Sequence, residues 1–169
     1  YINRPPRYGY FPDRGFLAFT AERRLTLKEL LELIEEGRKR APELVLASNI
    51  TYAGDRGIEG WVEMAKKCED AGVHINELNM CCPNMSYNVA VSGKDRTEHQ
   101  TGASLGQNAE AVSHIAGEVR RAVGIPVFVK LTPEGGRIGE VAKACFEKGA
   151  DAVGGTGNRL GVPPIDIYN

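Results

Sequence analysis

Apolar positions along this chain follow two alternating rhythms. In the segment Leu27 to Ile34, in Trp61, Met64, Ala65 and Cys68, and in Ala111, Ile115 and Val119, they recur at helical spacing. Between these stretches lie short, nearly continuous apolar runs: Leu44 to Ser48, Val73 to Leu78, Ile125 to Leu131, and Asp151-Ala152-Val153. Such runs predict strands, and Pro126 at the start of the third sits where a missing N–H is tolerated. Thr26 with Glu29 forms a capping box that opens the first helix, which is expected to stop near Gly37. The second helix is predicted over Ile58 to Ala71, and Gly72 ends it. Asn108 caps the third helix, which Gly124 closes. The fourth spans Gly139 to Lys148 and ends at Gly149. Met80 to Gln107 reads as one long polar loop.

A unit of helix, glycine and buried strand therefore recurs at Ala71-Gly72-Val73, Val123-Gly124-Ile125 and Lys148-Gly149-Ala150. Continuous apolar strands are expected to be buried on both faces of a parallel sheet, joined by right-handed crossovers. The fold class is α/β. A (β/α)8 TIM barrel and an open doubly wound sheet both satisfy the pattern. If it is a barrel, the chain carries about half of one. The whole of 1–169 then reads as a single partial domain, and both ends look cut. In either architecture chemistry belongs at the carboxyl ends of the strands. Asn49, Thr51, Asn79, Cys82, Asn84, Lys130, Thr132, Thr156 and Asn158 gather there, and the helix faces hold nothing comparable.

Composition narrows the classes. The chain is 42% hydrophobic and 25% charged, ordinary for a soluble globular domain. A net charge of -1 argues against a broad nucleic-acid surface. The basic run Arg38-Lys39-Arg40 suits the end of a helix dipole. No apolar run approaches a membrane span, and no signal segment opens the chain. The expected setting is cytoplasmic, with Cys68, Cys81, Cys82 and Cys145 reduced. No CxxC or paired Cys/His spacing announces a metal or an iron–sulfur site.

The candidate chemistry centres on Glu77-Leu78-Asn79-Met80-Cys81-Cys82-Pro83-Asn84. A thiol at Cys82 gives or takes a proton if its environment tunes it. Asparagine amides pair with a ring that alternates C=O and N–H groups. Lys130 supplies a positive charge to an anionic cofactor or intermediate. Each has a bland counterpart: Cys82 as a small buried hydrophobe, Asn79 and Asn84 as turn formers, Lys130 as a surface lysine. Cys68 and Cys145 belong to the core, and Cys81 reads as a packing or backbone-positioning residue. His74 is structural, His114 faces solvent, and His99 is a second acid candidate in the loop. Gly154-Gly155-Thr156-Gly157 lacks the GxGxxG spacing and is weak as a dinucleotide signal; close backbone approach to a flat ligand is a fair alternative.

In these residues the chain resembles the dihydroorotate dehydrogenase superfamily, and within it most closely the pyrimidine-reducing, FMN-containing part of dihydropyrimidine dehydrogenases. The resemblance covers about residues 44 to 158. It rests on the Glu77–Asn84 segment, on Gly102-Ala103-Ser104-Leu105-Gly106-Gln107, on Val129-Lys130-Leu131-Thr132-Pro133 and on Gly149-Ala150-Asp151-Ala152-Val153, in that order. It implies a (β/α)8 barrel, of which these would be strands three to six, with FMN at the carboxyl end. Cys82 would be the acid that protonates a pyrimidine ring opposite the flavin hydride. Asn79, Cys81, Asn84 and Asn158 would meet the substrate, and Lys130 and Asn49 the FMN. Electrons would arrive through FAD and iron–sulfur clusters on a separate electron-transfer domain or subunit, and a homo-oligomer is left open.

Three departures qualify the likeness. The family's serine before the cysteine is Cys81 here, which opens the question of substrate. Asn158 stands one place from the family's Asn-Thr pair. The loop Met85 to Thr101 is longer than the pattern and reads as a modified lid. A dihydroorotate dehydrogenase would need cations for a ring carboxylate, and only Lys130 lies at a strand end. A tRNA-dihydrouridine synthase would need a basic surface. A non-catalytic half-barrel remnant is the alternative from another class.

Overall fold

The computed structural model describes residues 8–12, 15–18, 24–82 and 102–155. Two short strands, β1 (Tyr8–Phe11) and β2 (Gly15–Ala18), pair antiparallel with Tyr8 opposite Ala18. Helix α1 (Leu27–Arg40) leads to β3 (Ala47–Ile50), then α2 (Gly57–Asp70) and β4 (Ile75–Asn79). The short α3 (Gly102–Gly106) precedes α4 (Ala109–Ala122) and β5 (Val127–Lys130). A 3-10 turn (Glu134–Gly136), α5 (Ile138–Glu147) and β6 (Ala152–Gly154) complete the order.

Strands β3 to β6 form one parallel sheet in the order β3-β4-β5-β6. A doubly wound sheet reverses its strand order and sends helices to both faces. The described strands show no reversal, and α2, α4 and α5 pack in succession. This is the winding of a (β/α)8 barrel segment, which resolves the two architectures left open above.

Register places Ile50, Leu78 and Val129 side by side, at most 2% exposed, facing the helices. Side chains alternate across a strand, so Asn49, Glu77, Phe128 and Lys130 point to the opposite face. Burial on both faces was expected. Among the described residues only the helix-facing side is sealed; Asn49 is exposed, and Glu77, Phe128 and Lys130 are half-buried. A sheet takes a second cover only from elements packed on that side, and α2, α4 and α5 lie on the other.

The helix-facing layer holds Trp61, Ala65, Val112, Val119, Val141 and both helical cysteines. Burial pushes the Cys68 and Cys145 thiols up to about 11. The polar side chains of Ser48 and Asn76 lie in this layer and are satisfied there. Ser48 Oγ donates to Asn76 Oδ1 at 2.7 Å, and Asn76 Nδ2 donates to the Ala65 carbonyl at 3.1 Å. Asp151 accepts from the Val127 N–H and pairs with Arg120, each at 2.8 Å, tying α4 to the start of β5.

Several boundaries differ from expectation. β3 was expected over Leu44 to Ser48, but Leu44 and Val45 are exposed and the ladder starts later. His74 N–H donates to the Leu46 carbonyl at 2.8 Å, and Leu46 N–H donates to His74 Nδ1 at 2.9 Å. Partners across the sheet, not local apolarity, set where the strand begins. The same bonds give His74 its structural role. Gly37 does not stop α1, which continues to Arg40; a Cβ there would come 3.3 Å from Leu46 Cδ1, so the glycine serves close packing. Gly72 and Gly149 do adopt the left-handed helix-ending conformation, at φ +101° and +96°. Gly124 does not; its N–H donates to Glu69 Oε1 at 2.8 Å. The supposed loop Met80 to Gln107 contains α3, too short to show a helical period, and the β1–β2 hairpin had no clear signal.

The capping box of α1 is complete: Glu29 N–H donates to Thr26 Oγ1 and Thr26 N–H to the Glu29 carboxylate. Thr26→Ala is expected to cost about 1 kcal/mol of stability, measurable as a lower urea midpoint with an unchanged slope.

Candidate active site

The Asn79 amide shapes the corner at the carboxyl end of β4. Its Oδ1 accepts the N–H of Cys81 at 3.1 Å and of Cys82 at 3.0 Å. This is the local turn that asparagine favours, with the side chain bonding backbone two and three residues on. Its Nδ2 donates to Asn49 Oδ1 at 2.9 Å, and Asn49 Nδ2 donates to the Glu77 carboxylate. Asn79 is 2% exposed, Met80 and Cys81 are fully buried, and Cys82 is half-buried.

Three neighbours hold the corner from outside. Met80 N–H donates to the Lys130 carbonyl at 2.9 Å, carrying the chain across to β5. The Arg24 guanidinium donates to the Cys82 carbonyl. Gly106, the last residue of α3, lies against the Met80 carbonyl so closely that a Cβ would stand 2.0 Å from it. Beyond β5, Thr132 is 2% exposed and its Oγ1 accepts the Glu134 N–H at 3.2 Å. Gly135, at φ +77°, leaves room for Gln107, whose Nε2 donates to the Ala103 carbonyl at 2.9 Å. The Gly102–Gln107 and Lys130–Pro133 motifs thus interlock.

Asn49, Asn79, Cys81, Cys82 and Lys130 therefore come together at the ends of β3, β4 and β5, with Asn79 directly opposite Lys130 in register. Asn84, Asn158, Thr156, His99 and the supposed lid lie outside the described residues. His114 is exposed on α4, 3.9 Å from Glu118. Sequence reasoning missed Arg24, Gly106 and the Asn49–Glu77 bond. The glycine was legible only as part of a motif, and the other two join residues 58 and 28 positions apart.

The expected FMN can be weighed against these groups. Lys130 offers a cation at a strand end. Thr51, just past β3, has a buried Oγ1 with no hydrogen-bond partner among the described residues. A buried hydroxyl left unpaired calls for a partner, and a flavin edge rich in acceptors would supply one. The groups present fit one edge of such a cofactor.

The sequence profile described as "Dihydroorotate dehydrogenase" matches residues 7–158. The NAD-dependent dihydropyrimidine dehydrogenase subunit PreA of Escherichia coli K12 is 28% identical over 167 residues, which is 96% of this chain and 37% of that protein. The dihydroorotate dehydrogenase A (fumarate) of Lactobacillus helveticus is 32% identical over 137 residues, 80% of this chain and 39% of the relative. The chain thus spans well under half the length of these relatives. Among solved structures, the carboxyl transferase domain of Rhizobium etli pyruvate carboxylase with 3-hydroxypyruvate superposes with a TM-score of 0.55 at 17% identity, covering 76% of this chain and 19% of that one. At that identity the likeness speaks for the fold alone. The profile covers most of the chain, and the motifs that carry the corner fall within it: this chain belongs to the dihydroorotate dehydrogenase family.

Proposed function

We propose that this chain carries the catalytic corner of an FMN-dependent oxidoreductase that interconverts a pyrimidine and its 5,6-dihydro form. The observation that carries the reading is the Asn79 amide gathering the Cys81 and Cys82 N–H groups beside the end of β5. It leaves a half-buried cysteine, Cys82, where a barrel does its chemistry.

In this reading Cys82 gives a proton to the ring, and takes one back in the reverse direction. FMN, when bound, supplies the hydride, so that hydride and proton together saturate one C=C bond. Lys130 would hold the cofactor's negative charge, with Asn49 and the Thr51 hydroxyl on the same rim. Asn84 and Asn158 would pair with the ring amides. Asn79 and Cys81, also expected to meet the substrate, would instead form the wall behind Cys82, because Asn79 is 2% exposed with its amide bonded within the protein and Cys81 is fully buried. FAD and iron–sulfur clusters would lie on a separate domain or subunit; the PreA relative is itself named a subunit. No described helix is long and apolar enough to cross a membrane.

A second reading, dihydroorotate oxidation, has a specific observation behind it. Arg24 brings a guanidinium to the Cys82 carbonyl, a cation besides Lys130 near the corner. It would suit an anionic ring.

The test is to purify the full-length protein that contains this chain and assay it without oxygen. It is expected to be yellow, to release FMN on denaturation, and to reduce a neutral pyrimidine such as uracil faster than orotate. Preference for orotate would transfer the reading to dihydroorotate. A colourless protein, or a flavoprotein inert toward both rings, would overturn both.

A further inference from the structure

We infer that Glu77 and Asn49 are positioning residues for Cys82, acting through the Asn79 amide. The role in catalysis rests on the proposed pyrimidine chemistry; the bonding argument does not.

The argument is one of polarity. Backbone N–H groups only donate, so the Cys81 and Cys82 N–H groups require the oxygen of Asn79 to face them. Both lone pairs of Oδ1 are then committed. The Asn79 NH2 is left facing Asn49, which must present its own oxygen there. That orientation sends the Asn49 NH2 to the Glu77 carboxylate, a group that only accepts when ionised. The chain of bonds therefore runs in one direction, from two backbone donors to one terminal acceptor. The two backbone N–H groups set the Asn79 amide from one side, and Glu77, by orienting the Asn49 amide, holds it to the same choice from the other.

Placement agrees with this role. Asn49 and Glu77 are direct neighbours in register on β3 and β4, on the open side of the sheet. Asn49 was expected to touch the cofactor, yet its amide is bonded at both ends within the protein. Sealing the helix-facing layer does not require either residue, because both point away from it.

Reversing the terminal group tests the inference. Lysine only donates, so Glu77→Lys would pull the Asn49 oxygen toward itself and set NH2 against NH2 at Asn79. In the full-length holoenzyme it should lower kcat by about 10²-fold, the scale of an ångström-sized misplacement, with KM moved far less. Asn49→Leu, which removes both bonds without adding charge, should do the same. Glu77→Gln keeps an acceptor and should lose much less. The double variant Glu77→Lys with Asn49→Asp places a carboxylate that accepts from both the Asn79 NH2 and the lysine, so every donor again meets an acceptor, and it should recover most of the loss.

A second readout is independent of turnover. Cys68, Cys81 and Cys145 are fully buried, so within this chain iodoacetamide should label Cys82 first. Peptide mapping of the Cys82 alkylation rate against pH should show the Glu77→Lys profile displaced and the double variant returned toward wild type. Unchanged kcat and alkylation in Glu77→Lys, or a double variant no better than the single one, would overturn the inference. A protein inert toward pyrimidines would sink the functional reading, and the alkylation series would still decide the positioning.

Discussion

Cys82→Ala is expected to cut pyrimidine turnover by about 10²-fold or more, the contribution of a positioned general acid, while the flavin stays bound. Cys82 is half-buried on a corner whose backbone is held at both flanks. Asn79 takes the Cys82 N–H at 3.0 Å, and Arg24 takes the Cys82 carbonyl. Truncating the side chain removes the proton source without disturbing either bond, so the loss should appear in kcat and not in flavin content. Steady-state turnover together with the visible flavin spectrum checks this. Full activity with intact flavin would rule out Cys82 as the proton donor and leave the family assignment untouched.

Gly106→Ala is the larger structural prediction. The new Cβ would lie 2.0 Å from the Met80 carbonyl oxygen and 3.0 Å from Thr132 Cγ2. The first contact is backbone and cannot swing aside, so either α3 or the corner must move. Overpacking typically costs about 1–3 kcal/mol, and displacement of the corner adds a kinetic penalty of about 10²-fold. Denaturant midpoints and kcat measured on the same preparation should fall together. Gly139→Ala is the control: it stands on α5 with nothing within 4 Å of its Cβ, and alanine there should be neutral or stabilising. If Gly106→Ala behaved like the control, the close approach of α3 to Met80 would be wrong.

The legible parts of this protein share a physical basis. The helices α1, α2, α4 and α5 were readable because a buried stripe repeats every three or four residues within one segment. The capping box of α1 was readable because both partners lie within one turn. The corner was readable as a motif, and the structure adds why its residues stand together: Asn79 folds the next three residues around its own oxygen. β3 was misplaced because Leu44 and Val45 carry a strand-like composition without strand partners. α3 was missed because five residues are too few for a period to show.

What the sequence alone determined is the alternation of helix and strand, the glycine ends at Gly72 and Gly149, and the motifs that form the candidate corner. These follow from local sterics and from apolar spacing within single segments. Only the tertiary structure decided the sequential order β3-β4-β5-β6, the face to which Asn49, Glu77 and Lys130 point, and the partners of the Asn79 amide. Those depend on ladder register, where a shift of one residue moves every side chain to the other face. They depend also on bonds between residues far apart in the chain, such as Arg24 to Cys82 and Asn49 to Glu77. Local composition holds no record of such pairings, because each donor and acceptor would be equally satisfied by water until the sheet brings them together.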